Sequence, residues 1–199
     1  MPKSRVLKSR PPAEVAVPYA PPPSVSARSL LRGRSDRIFQ KLVFDLFTVA
    51  ARMEEVRVHF ASRMGISAPQ YSLLRAVASL QGNEGVSVGT IAEHLHVTSA
   101  FIAAQSRELV QHGLMAKRED ASDRRVSRLS LTSKGQRLVN EIIGELRPIN
   151  DLFFGGLQKS EFEALSAIMD KLVDFSRSAI VQISSADRRA MLSNRDNRA

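Results

Sequence analysis

The stretch SVGTIAEHLHVTSAFIAAQSRELVQHG, Ser87–Gly113, decides the fold. Ser87 offers a side-chain oxygen just ahead of Val88, Ile91, Ala92 and Leu95, whose spacing predicts a short helix with one inward face. His96 and Val97 leave room only for a tight turn. Thr98 or Ser99 then caps a second helix running to His112, and Gly113 stands where a left-handed residue ends it. Two short helices joined by so brief a turn form a helix-turn-helix.

With Ile102 at the centre of the buried face and about 100° per residue, Thr98, Ser106 and Leu109 point inward. Ala100, Ala104, Arg107 and Gln111 point outward, with Phe101, Ala103 and Glu108 on the flanks. The outward face is small and weakly basic. A helix enters the DNA major groove with its amino-terminal half nearest the base edges. Small side chains there permit close approach and contact with thymine methyls, and Arg107 and the Thr98 and Ser99 hydroxyls supply polar contacts. Alanine-rich helix faces also dock proteins, so a winged-helix protein-interaction module without sequence-specific DNA binding is the competing reading.

The segments on either side sharpen the choice. Leu114–Arg118 and Val126–Leu131 alternate in polarity and are separated by a polar run, which predicts a β-hairpin, a wing, directly after the helix-turn-helix. Asp123, Arg124 and Arg125 fall at its tip. Arginine is drawn to the negative potential of the minor groove, and Asp123 is placed to orient one by a charge-assisted hydrogen bond. A solvated polar turn would have much the same composition.

Upstream, Ile38, Leu42, Leu46, Val49, Met53, Val56 and Phe60 recur at helical spacing, with Phe39, Val43, Phe47 and Ala50 as a second stripe beside them. A helix apolar on two faces needs more than one partner surface, which points to an oligomer. Ser67, Pro69 and Gln70 mark the start of the next helix, and Leu73, Leu74, Val77 and Leu80 its buried face. Downstream, Thr132 caps a helix that spans Pro148, expected to kink it. Ser160–Glu163 reads as a capping box for a last long helix ending near Ser184. The fold class is therefore mainly α with a small β-wing: a winged helix-turn-helix over 67–132, long helices over 36–64 and 135–184 for dimerisation, and a frayed 185–199.

Composition limits the rest. Seven of the nine prolines precede residue 24, and residues 1–35 carry six of the nine net positive charges. Such a segment cannot recover its ordering entropy by burial, so 1–35 is expected to be a disordered basic tail, either a phosphate-attracting arm or a solubilising extension. The absence of cysteine removes disulfides and thiolate ligands. His59, His94, His96 and His112 form no close ligand pair, so no metal or other cofactor is expected. There is no Gly-rich phosphate loop, nucleophile elbow or catalytic carboxylate pair, so the chain is not read as an enzyme. Neither a membrane span nor a secretory signal is evident, and a cytoplasmic protein is expected.

The string Leu109–Leu114, followed by Arg118–Arg125 and by Leu131-Thr132-Ser-Lys-Gly135, resembles the MarR family of bacterial regulators, with the likeness spanning roughly 36–184. Its most specific element is Asp123-x-Arg125, five residues ahead of Leu131-Thr132. The resemblance implies a two-fold homodimer on a pseudo-palindromic double-stranded operator, usually a repressor released by a small molecule, with Arg125 in the minor groove. Members often carry a threonine and an arginine near the positions of Ala103 and Ala104, so those contacts do not transfer. The family's ligands commonly sit between the dimerisation helices and the DNA-binding lobe. Here that cleft would be lined by Met53, Val56, His59, Phe60 and Arg63, with Tyr71 and Arg75 facing them. Such a wall suits an aromatic acid or its acyl-CoA thioester, although core packing would select most of the same residues.

Overall fold

The computed structural model describes residues 19, 21–120, 122–123 and 125–196, with side chains followed to Ser185. The chain divides into two compact units, 1–56 and 57–199.

In the first unit, a single 3₁₀ turn at Arg28–Leu30 and an Arg32–Ser35 bridge lead into helix α1, Arg37–Arg63, whose last turns belong to the second unit. Composition assigns all of 1–35 to a tail, yet the chain from Ser24 is tied to the helix start. Asp36 is only 6% exposed and needs donors for its carboxylate. Ser24 supplies its amide at 2.7 Å and its hydroxyl at 2.6 Å, and Gln40 its side-chain amide at 3.0 Å. These bonds, the Ser24 hydroxyl foremost, hold the Asp36 carboxyl below its ordinary range. The rest of the expected tail, 1–18 and 20, lies outside the described residues. Along α1 the predicted stripes are present but open: Ile38, Leu42, Leu46, Phe47, Val49 and Met53 are all exposed.

The second unit holds the core. Helix α2, Ala68–Leu80, opens on the capping box foreseen at Ser67 and Gln70. Helices α3, Val88–His94, and α4, Ser99–Gln111, are capped by Ser87 and Thr98. His96, in the turn between them, takes a left-handed φ of 54°. Strands β2, Met115–Glu119, and β3, Ser127–Leu131, form the wing, and Thr132 caps α5, Ser133–Phe154. Leu73, Leu74, Val77, Ile91, Ile102, Leu109, Met115 and Leu129 are the fully enclosed side chains. Each such burial is worth roughly 1.5–3 kcal/mol.

Three expectations change. First, Val86–Ser87 forms an additional strand, β1, paired antiparallel to β3, so the sheet has the order β1-β3-β2 and the wing is anchored at its centre. Two residues are too few to show alternation. Second, α6, Lys159–Asp196, begins one residue before Ser160. The amide of Gln158 donates to Glu161 at 2.8 Å, so Glu161 and not Glu163 completes the helix start. Third, α6 continues past 184 to Asp196. Residues 185–196 contain neither proline nor glycine, so nothing local stops the helix. Pro148 lies inside α5.

A charge locks the sheet to the helix-turn-helix. Asp120, 8% exposed, follows β2 and accepts from the Ser122 amide at 2.8 Å, the Ser122 hydroxyl and the Asp123 amide at 3.2 Å. Its other oxygen binds Arg128 Nε, and Arg128 Nη1 donates to the Gly85 carbonyl at 3.0 Å, next to β1. The Ser122 hydroxyl first, then Arg128, push the Asp120 carboxyl far below the usual carboxylate range.

Two outcomes follow. Because the folded Asp120 carboxyl lies below its unfolded value of about 3.9, its contribution is complete above that pH and is lost as pH falls below it. The protection of the Ser122 and Asp123 amides, taken relative to the intrinsic exchange rate at each pH, should therefore be constant above about pH 4 and decline progressively below it. Gly135 and Gly144 both sit in α5. A Cβ on Gly135 would lie 2.1 Å from the Leu114 carbonyl oxygen, whereas one on Gly144 meets nothing within 4 Å. Gly135→Ala should cost about 1–3 kcal/mol through forced backbone displacement, and Gly144→Ala should gain about 0.5–1 kcal/mol of helix propensity. Thermal melts of the two variants should shift in opposite directions.

Candidate nucleic-acid interface

The exposed face of α4 follows from its cap and its buried stripe. Thr98 takes an extended conformation, and its hydroxyl accepts the Phe101 amide at 3.1 Å. It is exposed, not turned inward as a helical wheel places it, because a cap residue stands outside the helical periodicity. Ile102, Ser106 and Leu109 are buried, and the Ser106 hydroxyl donates back to the Ala103 carbonyl at 3.1 Å. Ser99, Ala100, Phe101, Ala104 and Arg107 are exposed and Ala103 half-buried. Glu108, the acid on the flank, accepts from the Gln70 side-chain amide.

At the wing, Asp123 and Arg125 form the pair that the sequence pattern proposes. Asp123 Oδ1 accepts from the Arg125 amide at 3.0 Å and from Nε at 3.1 Å, and Oδ2 accepts from Nη2 at 3.3 Å. These bonds lower the Asp123 carboxyl pKa. The Arg125 side chain is 91% exposed, so the fork fixes its direction without hiding it. Arg124 lies outside the described residues.

Between helix and wing runs a groove lined by Ser99, Ala100 and Ala103 of α4, Lys117 and Arg125 of the wing, and Ser87–Gly89 at the start of α3. No carboxylate lines it. Lys117 was missed in the sequence, where it is one polar residue of a strand; its place on β2, paired with Leu129, brings it here.

The residues proposed for an effector wall separate within the second unit. Phe60 is part of the core, with the exposed His59 edge-on to it at 5.1 Å. Arg63 donates to Glu145 of α5 at 2.9 Å. Tyr71 and Arg75 share a cleft with His94 of α3. Met53 and Val56 lie on α1 in the first unit, Met53 exposed and Val56 half-buried. Among the described residues, no group of three or more His, Asp or Glu is placed to hold a metal, and no helix is long and apolar enough to cross a membrane.

The MarR family profile matches residues 66–127, the span that builds the groove and most of the wing. The chain is 24% identical over 138 residues to the transcriptional repressor MdtR of Bacillus subtilis, covering 69% of this chain and 87% of that one. Its fold is shared with the S. aureus MepR–DNA complex, at TM-score 0.58 and 20% identity over 66% of this chain and 94% of MepR. It is shared equally with CouR of Rhodococcus jostii RHA1 bound to p-coumaroyl-CoA, at TM-score 0.58 and 22% identity over 69% and 93%. Family profile and fold agree in likening residues 66–127 of this chain to the winged helix-turn-helix of the MarR family.

Proposed function

We propose that the chain acts in the cytoplasm as a homodimer that represses by occupying a pseudo-palindromic operator, and that a small aromatic acid or acyl-CoA thioester releases it. The observation that carries the DNA reading is the groove between α4 and the wing. It is free of carboxylates and lined by small side chains, with Lys117 and a fork-held Arg125 on one wall. α4 offers the major groove a surface that approaches closely, and Arg125 is pre-oriented for the adjacent minor groove. MepR, with the same fold, is a protein solved on DNA.

Dimerisation is supported by unpartnered apolar surface. α6 exposes Phe162, Leu165, Ile168, Met169, Leu172 and Phe175, and α1 its own stripe. An apolar area of this extent on a water-soluble chain marks an interaction surface. A two-fold pair would present two α4 helices to half-sites about one turn of DNA apart. The effector part draws on CouR, which was solved with p-coumaroyl-CoA. Of the candidate residues in the second unit, His59, Arg63, Tyr71 and Arg75 remain, and of these Tyr71 and Arg75 share one cleft.

Fragments of genomic DNA retained by the protein would define the operator. On it, Arg125→Ala should weaken binding by about 1–3 kcal/mol without changing the sedimentation of the dimer. Lys117→Ala should weaken all duplexes alike and flatten the salt dependence by about one phosphate contact. A monomer, or a chain whose affinity for duplex ignores salt, would favour the protein-docking reading. Titration with 4-hydroxybenzoate and with p-coumaroyl-CoA should release the operator in at least one case; no release by either would count against the effector.

A further inference from the structure

The leading half of α4 carries an unbroken apolar arc. At about 100° per residue, Ala103 lies on the flank next to the wing, Ala100 and Ala104 at the centre and Phe101 on the far flank, an arc of about 160°. Ala100, Phe101 and Ala104 are exposed and Ala103 is half-buried. Phe101 is the unusual member. An aromatic side chain is ordinarily buried in the core or set against another ring. Phe101 keeps 39% of its surface open and meets no other ring among the described residues. Its surroundings leave the arc uncharged. The Thr98 hydroxyl accepts the Phe101 amide at 3.1 Å, and Glu108, two turns on along the flank of Phe101, is held by the Gln70 side-chain amide. These two turns therefore offer a ligand apolar contact in place of hydrogen bonds.

We propose that α4 reads the C5-methyl groups of pyrimidines, with Phe101 the specificity-determining residue and Ala100 and Ala104 the small side chains that let the helix come close enough. The inference rests on the DNA reading above and adds to it the chemical group that is recognised. In the major groove each base pair presents its own order of donors and acceptors, and a thymine adds a methyl group. Alanine and phenylalanine pack on that methyl and satisfy none of the polar groups. The arc therefore selects by the presence of one carbon atom. 5-Methylcytosine carries the same carbon at the same ring position. To this helix thymine and 5-methylcytosine form one class, and uracil and cytosine the other. Cytosine methylation beneath α4 then strengthens binding.

Operator duplexes recovered by retention of genomic DNA supply the test. Exchanging thymine for uracil removes one methyl, and exchanging cytosine for 5-methylcytosine adds one, with every donor and acceptor left in place. In a half-site, each contacted methyl removed should weaken binding by roughly fourfold, the loss of one buried CH₂. Where a thymine has been replaced by cytosine, 5-methylcytosine should bind tighter than cytosine by the same factor. In Phe101→Ala both ratios should fall towards one, whereas Lys117→Ala, weaker on every duplex, should keep both. Should Phe101→Ala fail to fold, the Phe101 ring resonances of the unaltered protein should still differ between its thymine and uracil complexes. Tight binding of the operator with ratios of one throughout both half-sites overturns the inference and leaves the DNA reading standing. A methyl response that persists in Phe101→Ala, or that leaves the Phe101 resonances unmoved, overturns the assignment of Phe101. Failure to retain any duplex overturns the inference and the DNA reading together.

Discussion

A buried carboxylate at the root of the wing governs how the surface between α4 and the wing is assembled. An ionised Asp120 withdrawn from water must be surrounded by donors. The donors it finds are two backbone amides and a hydroxyl of the wing turn and the guanidinium of Arg128. Satisfying one charge therefore shapes the turn, sets the start of the return strand and, through the second arm of Arg128 on the Gly85 carbonyl, ties the sheet to the entrance of α3. Asp123 is left with its own carboxylate outward, where it takes hold of Arg125. The exposed fork depends on the buried one.

That hierarchy explains which parts could be read in advance. Helix starts were legible because a cap is a local event: Ser67, Ser87, Thr98 and Thr132 each accept an amide a few residues downstream. Gly113, with φ of 67°, ends α4 for an equally local reason. The Asp123 and Arg125 pair was legible through the resemblance and spans two residues. What escaped was held by distant partners. β1 exists because Val86 and Ser87 meet Leu129 and Arg128 across the sheet. Asp120 reads as one more acid in a polar turn until β3 brings Arg128 beside it. At α6 two glutamates offered two registers for the helix start, and the chain took Glu161, one turn inward from Gln158. The buried, unpartnered Nη1 of Arg75 is likewise a property of packing that no local pattern announces.

The groove also bears on how a sequence would be read by this protein. Discrimination by hydrogen bonding requires long polar side chains that reach base edges, typically arginine, asparagine or glutamine in pairs of bonds. The leading half of α4 has Ser99, Ala100, Ala103 and Ala104 there, and its first long polar side chain on the exposed face is Arg107, two turns in. On the proposed reading, such a helix gains contact area and shape fit more than bonds to particular bases. Specificity is then carried by methyl groups, groove width and the ease with which the duplex deforms, terms that Arg125 in a narrow minor groove would also sense. A surface of this kind tolerates base changes under α4 better than changes beneath the wing, the reverse of the order expected for a helix bearing arginines at its tip. The alanines at 103 and 104 are thus the residues through which this chain departs furthest from the readout that its family resemblance implies.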